Sequence, residues 1–367
     1  MRILLTSTSY PRTPESWQGT FIRSMVEALA RRPGLELRVW APPGPLPDAV
    51  ASACTPAEAA WLESLAARGG IAHLLRKSPL AGLASALKLV RSLRAAFRRE
   101  PADLFHANWL QSALAMSGTR TPAVVTVLGT DFALLRLPGM AALLRRALGQ
   151  RPCVVAPNAE WMVAPLKQAL GSAAQVEAVP FGVDERWYRI ARAPQPGPRR
   201  WLVVSRLTAA KIGPLFEWGE GLFGPDDELH LFGPQQESLT LPAWVHYHGP
   251  THAAALAAEE FPRAAGLITL SRHDEGRPQV VLEAMAAGVP VIASRLPAHE
   301  GIIQHMQTGW LVNGRDDFAE GLRALAEPRR NAAVGAAARD AIRAAIGTWD
   351  DCAAHYASLY ARLLGGR

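Results

Sequence analysis

The sequence predicts an α/β protein of two doubly wound domains with parallel sheets, and three observations support that prediction. The chain has 367 residues, more than twice the usual size of one domain. Short apolar runs rich in β-branched residues alternate with helical patterns from end to end, which is typical of parallel strands joined by crossover helices. A stretch dense in Pro and Gly at 193–198 interrupts this alternation, so we predict a domain linker there.

Each half of the chain supplies six predicted strands. Those of the first half are Ile3–Thr6, Leu37–Trp40, Asp103–His106, Ala123–Val127, Cys153–Ala156 and Val176–Val179. Those of the second half are Trp201–Ser205, Leu229–Phe232, Val245–His248, Gly266–Leu270, Val289–Ala293 and Trp310–Val312. Ligands of such sheets bind at the carboxyl ends of the strands, so we expect the site in a cleft between two facing domains.

The composition excludes several classes of protein. Hydrophobic residues make up 49% and charged residues 19% of the chain, which indicates a folded globular protein. No window approaches eighteen uninterrupted apolar residues and no export signal is recognisable, so we expect a cytoplasmic protein. Three cysteines without metal-ligand spacing argue against a disulfide framework or a zinc site.

Positive charge is concentrated in the first half. Residues 1–190 hold 22 basic and 13 acidic residues, whereas residues 191–367 hold 17 and 19. A predicted basic amphipathic helix at 80–99 has an apolar face of Leu80, Leu83, Leu87, Val90, Leu93 and Phe97 and a basic face of Lys88, Arg91, Arg94 and Arg98. Such a helix can dock on anionic phospholipid. The alternative is an ordinary packed helix with a solvated face; nucleic acid is disfavoured because aromatic residues are not interleaved with the charges.

The segment 275–288 carries two candidate carboxylates. Glu275-Gly276-Arg277-Pro278 follows a predicted strand and opens a helix whose free N–H groups suit a diphosphate. Glu283 lies in an apolar run of this helix, where a carboxylate needs partners such as the paired hydroxyls of a ribose. Eight helical residues rise about 12 Å, so the two glutamates can contact opposite ends of a nucleotide-sugar. The alternative is that Glu283 caps the helix or pairs structurally and that Glu275 is a solvated loop residue.

Two cations lie around the end of the strand Trp201–Ser205. Arg206 follows that strand and Lys211 opens the next predicted helix. Together they can clamp one diphosphate and neutralise the charge that develops as it leaves, which would remove the need for a metal.

These motifs resemble the retaining glycosyltransferases of family 4, which have the GT-B fold of two facing Rossmann-like domains. The resemblance rests on Glu275-x7-Glu283 with Ala284–Val291, on Arg206-Leu207-x3-Lys211, on Val179–Asp184 and on Thr348-Trp349-Asp350. It implies catalytic roles for Glu275, Arg206 and Lys211, and donor binding by Glu283, Gly276, Arg277, Leu282, Ser205 and Gly233. The implied reaction is metal-independent transfer of a hexose-like unit from a nucleotide-sugar to an acceptor hydroxyl, with retention and no further cofactor, in cell-surface polysaccharide or glycolipid synthesis.

The same resemblance implies an acceptor-binding domain at 1–190, a donor-binding domain at 191–347 and a last helix at 348–367 that packs back on the first domain. The candidates on the acceptor side are Gly19, Asp131 and His106. Family acceptors are often lipid-linked, so we expect such an acceptor, peripheral attachment to the inner face of the cell membrane through the helix at 80–99, and no nucleic-acid partner.

The sequence departs from the family pattern at several positions. Gln18-Gly19-Thr20 offers one glycine where relatives have two, Leu128 stands in place of a histidine, and Ile212 separates Lys211 from Gly213. Asp131 can cover part of the histidine's role or can cap a helix, and His106 can equally be structural.

Other classes of function fit less well. A nicotinamide-dependent oxidoreductase is disfavoured because no strand runs into G-x-G-x-x-G. The main alternative is a catalytically impaired relative that binds nucleotide-sugars or carbohydrates. The sequence does not specify the donor base and sugar, the acceptor, the linkage or the oligomeric state.

Overall fold

A computed structural model describes residues 1–13, 16, 18–193, 197–273 and 275–365. The chain divides into two compact units, one formed by Met1–Phe181 with the segment from Trp349 onward, the other by Gly182–Thr348. The first boundary therefore lies at 181/182 and not at the predicted 190/191. The intervening residues bond within the second unit, where the Tyr188 hydroxyl donates to the Gly347 carbonyl at 3.0 Å. Of the predicted linker, residues 194–196 lie outside the described residues.

The first unit is built on a seven-stranded parallel sheet with the strand order β3-β2-β1-β4-β5-β6-β7. Its strands are β1 (Arg2–Thr6), β2 (Glu36–Trp40), β3 (Ala51–Ser52), β4 (Leu104–Asn108), β5 (Ala123–Val127), β6 (Cys153–Pro157) and β7 (Gln175–Val176). The short strand β3 was not predicted. The predicted strand Val176–Val179 keeps only its first residue in β7, although the N–H groups of Glu177 and Val179 still bond carbonyls of β6.

Helices cover both faces of this sheet. They are α1 (Thr20–Ala30), α2 (Pro56–Ala67), α3 (Gly70–Lys77), α4 (Pro79–Arg99), α5 (Met140–Leu148) and α6 (Val163–Leu170), with 3₁₀ helices at Leu110–Met116, Thr130–Arg136, Glu160–Met162 and Gly171–Ala173. One core cluster contains residues of α4, α5 and α6, and the other contains residues of α1. The sheet thus carries an apolar layer on each side, as a doubly wound fold requires.

Helix α4 confirms the predicted helix but corrects its apolar face. Leu93 and Phe97 are buried, whereas Leu80, Leu83 and Leu87 are 83%, 54% and 51% exposed. Only the C-terminal half of α4 packs on the core; the N-terminal half pairs with α3, where a Cβ on Gly82 would lie 2.6 Å from Leu75 Cα. The helices α3 and α4 therefore form a hairpin that leaves Leu75, Leu80, Leu83 and Leu87 at the surface.

The second unit is built on a six-stranded parallel sheet with the order β10-β9-β8-β11-β12-β13. Its strands are β8 (Arg199–Val204), β9 (Asp227–Phe232), β10 (Val245–Gly249), β11 (Ala264–Thr269), β12 (Val291–Ser294) and β13 (Trp310–Val312). Its α-helices are α7 (Glu185–Tyr188), α8 (Ala209–Ile212), α9 (Leu215–Gly219), α10 (Ala253–Ala255), α11 (Gln279–Ala286), α12 (Pro297–Glu300), α13 (Arg315–Ala326) and α14 (Pro328–Ala345), with a π-helix at Leu256–Glu260 and a 3₁₀ helix at Phe261–Arg263. All six predicted strands are present; Trp310–Val312 matches at both ends, and the ends of the others are shifted by at most two residues.

The last helix, α15 (Trp349–Gly365), belongs to the first unit. It packs against α1 and buries Tyr356 and Tyr360 in the core cluster on that face. Asp350 pairs with Arg31 at 2.6 Å. Across the described residues, no helix has the length and apolar character needed to cross a membrane.

Candidate active site

The carboxyl edge of the second sheet is drawn together by two glycines. A Cβ on Gly233, after β9, would lie 1.8 Å from the carbonyl oxygen of Ser205, after β8. A Cβ on Gly213, after α8, would lie 2.0 Å from the carbonyl oxygen of Leu270, after β11. Both glycines have a positive φ that L side chains rarely adopt. Only glycine therefore lets these loops approach so closely.

Lys211 and Glu275 meet at this edge. Thr208 caps α8 by accepting a hydrogen bond from the Lys211 backbone N–H, and the Lys211 ammonium forms an ion pair with the Glu275 carboxylate. Only 14% and 20% of the two side chains are exposed. Burial lowers the pKa of Lys211, and Glu275 opposes that shift by favouring the charged ammonium. The two opposite charges therefore lie close together and are poorly solvated.

A pocket of about 110 Å³ lies beside this pair. It is lined by Ser205, Arg206, Lys211, Glu275 and Gln279, among other residues. Arg206 is exposed, and in the described part of the chain no partner accepts a hydrogen bond from its guanidinium. Gln279 was not among the residues predicted for the site; its amide nitrogen donates to the Gly182 carbonyl at 2.8 Å. Three of the four charged residues expected to converge thus line one pocket.

Glu283, the fourth, lies farther along α11 and does not line this pocket. Its carboxyl group has no hydrogen-bond donor among the described residues. Burial, followed by the negative charge of Asp184, raises the pKa of Glu283 to about 8, while Arg186 opposes the rise. A carboxyl group in this state gains from any ligand that supplies hydrogen-bond donors.

The remaining donor-side candidates differ in what they expose. Gly276 is buried and Arg277 is partly exposed, both in the loop between β11 and α11. Leu282 is fully buried in the core, so its side chain is not available to a donor. Its apolar neighbours in sequence could have indicated that role, because a helix packed on a sheet directs one apolar stripe inward.

A network that sequence analysis missed holds the start of the Glu275 loop. His299, on α12, is 1% exposed, and its Nδ1 donates to the Ser294 carbonyl at 2.7 Å. The Ser294 hydroxyl donates to the Ser271 carbonyl at 2.7 Å, and the Arg272 N–H donates to the Ala210 carbonyl at 2.7 Å. A single histidine and scattered serines carry no pattern, so no sequence signal could have found this network.

In the first unit, two of the three candidate residues are used internally. His106 is 0% exposed and lies 2.5 Å from the Tyr360 hydroxyl and 2.8 Å from the Thr126 hydroxyl. Burial lowers its pKa to about 3, so the imidazole is neutral. The structure therefore supports the structural alternative for His106 and gives it no access to an acceptor.

Asp131 is also buried, and its carboxylate accepts hydrogen bonds from the backbone N–H groups of Leu110, Leu128 and Gly129 at 2.8–3.0 Å. It joins the loops after β4 and β5 and is not an N-cap, since Gly129 precedes the 3₁₀ helix there. Gly19 has φ 72° directly before α1, and a Cβ there would lie 2.8 Å from the Tyr10 backbone nitrogen. Gly19 thus allows the start of α1 to lie close to the loop that contains Tyr10.

Among the described residues, no group of three or more His, Cys, Asp or Glu side chains is placed to hold a metal ion.

Two family models match the chain. A glycosyl transferase 4-like domain matches residues 18–182, and a model of glycosyl transferases group 1 matches residues 223–327. The D-inositol 3-phosphate glycosyltransferase of Rhodococcus opacus is 34% identical over 123 residues, which is 33% of this chain and 26% of that protein. The chain thus spans about a quarter of the length of that relative.

A mannosyltransferase of Mycobacterium tuberculosis, the GDP-mannose-dependent alpha-(1-6)-phosphatidylinositol monomannoside mannosyltransferase, is 31% identical over 252 residues, covering 60% of this chain and 64% of that protein. Among solved structures, sucrose-phosphate synthase from Thermosynechococcus elongatus superposes with a TM-score of 0.76 at 18% identity, covering all of both chains. Anabaena HepE in complex with UDP-glucose gives 0.65 at 16% identity, covering 99% of this chain and 100% of that one. The chain thus has the GT-B fold of two parallel-sheet units, and each part of it is matched by a glycosyl transferase model.

Proposed function

We propose that the chain is a retaining glycosyltransferase that moves a hexose-like unit from a nucleotide-sugar to an acceptor hydroxyl. The observation that carries this proposal is the pocket at the carboxyl edge of the second sheet, lined by Arg206, Lys211 and Glu275. Two cations and a carboxylate at a strand edge suit a ligand with a diphosphate on one side and sugar hydroxyls on the other. The names of the relatives agree, since one depends on GDP-mannose and another was solved with UDP-glucose.

In this proposal the two cations stabilise the leaving nucleoside diphosphate. Arg206 is open to a phosphate oxygen, and Lys211 would turn from Glu275 to a second one. Because Lys211 is largely buried, its charge is weakly screened and acts strongly on a nearby phosphate. The two positive charges take the part that a divalent metal plays elsewhere, so we propose a metal-independent reaction with the donor as the only co-substrate.

Retention follows in this proposal from displacement on a single face of the donor sugar. Lys211 releases Glu275 when it turns to the phosphate, and the freed carboxylate can then accept hydrogen bonds from hydroxyls of the donor sugar. The acceptor oxygen forms a bond to the anomeric carbon as the bond from that carbon to the β-phosphate oxygen breaks. The departing phosphate oxygen takes the acceptor proton, and Arg206 and Lys211 stabilise its negative charge.

We propose that Glu283 binds the ribose of the donor. Its carboxyl group is without a described donor and its pKa is raised to about 8. Two ribose hydroxyls would supply hydrogen bonds that the described residues do not. The loop before α11, which contains Gly276 and Arg277, would then lie along the diphosphate between the ribose and the sugar.

The test begins with unfolding in the presence of GDP, UDP or ADP, where a ligand at 100 times its Kd stabilises by about 2.7 kcal/mol. Lys211→Met is expected to weaken the best binder about tenfold or more, while Lys167→Met, an exposed lysine of the first unit, is the matched control. Glu275→Gln is expected to slow transfer by about 100-fold.

Three outcomes would contradict this assignment. Full activity of Glu275→Gln would remove that residue from the reaction. Diphosphate binding without transfer or donor hydrolysis would favour the catalytically impaired relative. No binding of any diphosphate would reject the donor site itself.

We also propose a lipid-linked acceptor, with an anionic membrane surface as partner of the α3–α4 hairpin. Leu75, Leu80, Leu83 and Leu87 expose 42–83% of their surface along this hairpin. Farther along α4, Arg91 and Arg98 are exposed on the same side as Leu80 and Leu87, since eleven and eighteen residues are close to whole numbers of helical turns. Leucines at the tip and arginines behind them match the acyl and headgroup layers of an anionic bilayer.

Sedimentation with phosphatidylcholine vesicles, with and without about 30 mol% phosphatidylserine, tests this surface. The double variant Leu80→Ser/Leu83→Ser is expected to bind at least about tenfold more weakly. Leu137→Ser, which changes a leucine 51% exposed outside the hairpin, is the control. Binding that ignores the phosphatidylserine content, or equal binding by the double variant, would contradict the proposal without affecting the donor site.

A further inference from the structure

Trp109 has a backbone conformation that bulky residues rarely adopt. It lies directly after β4 with φ 70° and ψ 133°. Within the described part of the chain, Met306 is the one other residue besides glycine with a positive φ. For a tryptophan such a conformation costs free energy, and strained residues of this kind cluster at ligand-binding sites.

The surrounding structure holds Trp109 in this conformation from both sides. Its own N–H donates to the Thr126 carbonyl at 2.9 Å. The next peptide N–H, that of Leu110, donates to Asp131 Oδ2 at 2.8 Å, while Asp131 Oδ1 accepts from Leu128 and Gly129. Asp131 thus ties the loop that carries Trp109 to the loop after β5, and the strain is maintained by a buried carboxylate.

The position of Trp109 is the one where a ligand is expected. The strand order β2-β1-β4 reverses direction between β1 and β4, and doubly wound sheets bind ligands at the carboxyl ends of the strands flanking such a reversal. From the β1 side, Phe21 on α1 meets the indole edge-on at 6.3 Å between ring centroids. The indole is partly exposed, and no described residue accepts a hydrogen bond from its Nε1–H.

The chemistry of this surface indicates its ligand. An indole offers a flat apolar face and one N–H donor at its edge. A pyranose or cyclitol ring has the complementary form, with a face of C–H groups and a rim of hydroxyls. We infer that Trp109 is the surface on which the ring of the acceptor packs, and that Asp131 is a positioning residue that acts through Trp109. This inference rests on the proposed transfer, because it assigns the acceptor's ring to the first unit.

Saturation-transfer NMR on the full chain tests the inference with methyl α-D-glucopyranoside and myo-inositol as probes. The wild-type chain is expected to transfer saturation to the ring C–H protons of at least one probe. Trp109→Ala is expected to reduce that signal about fivefold, whereas Trp109→Phe, which keeps a flat ring, should retain most of it. Asp131→Asn, which weakens the hydrogen bonds that hold the loop of Trp109, should give a signal between those of the two Trp109 variants. In a chain that already carries Trp109→Ala, Asp131→Asn should reduce the signal no further.

The controls separate this inference from the donor site. Folding of each variant is checked by its unfolding transition, and binding of GDP and UDP should be unchanged in all of them. No ring-proton signal in the wild type, or equal signals in Trp109→Ala and the wild type, would overturn the inference. If the wild-type chain binds neither GDP nor UDP, that result would instead count against the proposed donor site.

Discussion

The carboxyl edges of the two sheets use their polar residues in different ways. At the second edge, Lys211 and Glu275 satisfy each other while still lining a pocket. At the first edge, Asp131 and His106 are buried and bonded to the protein itself. A polar residue at a strand end can thus bind a ligand only where the backbone and neighbouring hydroxyl groups have not already used its hydrogen-bonding capacity. This difference can be tested by substituting Gly233 at the second edge, by substituting His106 at the first, and by measuring how the stability of each unit depends on pH.

The largest expected effect follows from the close approach at the second edge. Gly233→Ala would place a Cβ 1.8 Å from the Ser205 carbonyl oxygen in a backbone with φ 132°. We expect a loss of at least about 3 kcal/mol in the free energy of unfolding of the second unit. Gly224→Ala, which meets no atom within 4 Å, is the matched control. Equal denaturation midpoints for the two variants would show that this edge is not held closed by Gly233.

A smaller effect is expected from His106→Ala. The substitution leaves the Tyr360 and Thr126 hydroxyls without this partner and opens a cavity in the core, so we expect about 2–4 kcal/mol of destabilisation. The KM for any acceptor should stay unchanged. A specific rise of that KM in a variant of unaltered stability would return His106 to the acceptor site and break the contrast between the two edges.

The two units should also respond to pH in opposite directions. The folded pKa of His106 is about 3, below its ordinary 6.5, so its contribution is complete above pH 6.5 and is lost as the pH falls toward 3. The folded pKa of Glu283 is about 8, above its ordinary 4.5, so its contribution is complete below pH 4.5 and is lost as the pH rises toward 8.

Each slope is at most about 1.4 kcal/mol per pH unit and is measured by urea unfolding across pH 4–9. Glu283→Gln is expected to remove the alkaline slope, which is the fall in stability of the second unit between pH 4.5 and 8, and to leave the pH dependence of the first unit unchanged. If Glu283→Gln keeps the alkaline slope, the carboxyl group is already ionised in the folded protein and the ribose proposal loses its support.

Strands and helices were largely predictable because a parallel sheet is buried on both faces, so its strands appear in the sequence as continuous apolar runs. The boundary between the units was misplaced, since the hydrogen bond from Tyr188 to Gly347 joins residues far apart in the chain. The exposed leucines of α4 were misassigned for a related reason. Helical spacing reports which residues share a face, and it does not report how far the supporting sheet extends beneath them.

The site shows the same limit. Lys211 and Glu275 could be found because each follows a strand and sits within a recognisable spacing. The hydrogen bonds by which Asp131 holds the loop of Trp109 join residues of separate loops. No sequence spacing encodes such contacts. Leu282 was named as a donor contact from its place in a motif, although its side chain points into the core.

The last helix has a consequence for how the protein is made. Tyr356 and Tyr360 fill the core of the first unit, yet a ribosome releases them only after the entire second unit has been translated. The second unit is continuous in sequence and is free to complete its fold during synthesis, whereas the first must wait with one face of its sheet only partly covered, by α1. An expression fragment ending near residue 181 is therefore expected to aggregate, and adding residues 349–365 as a separate peptide should rescue its solubility.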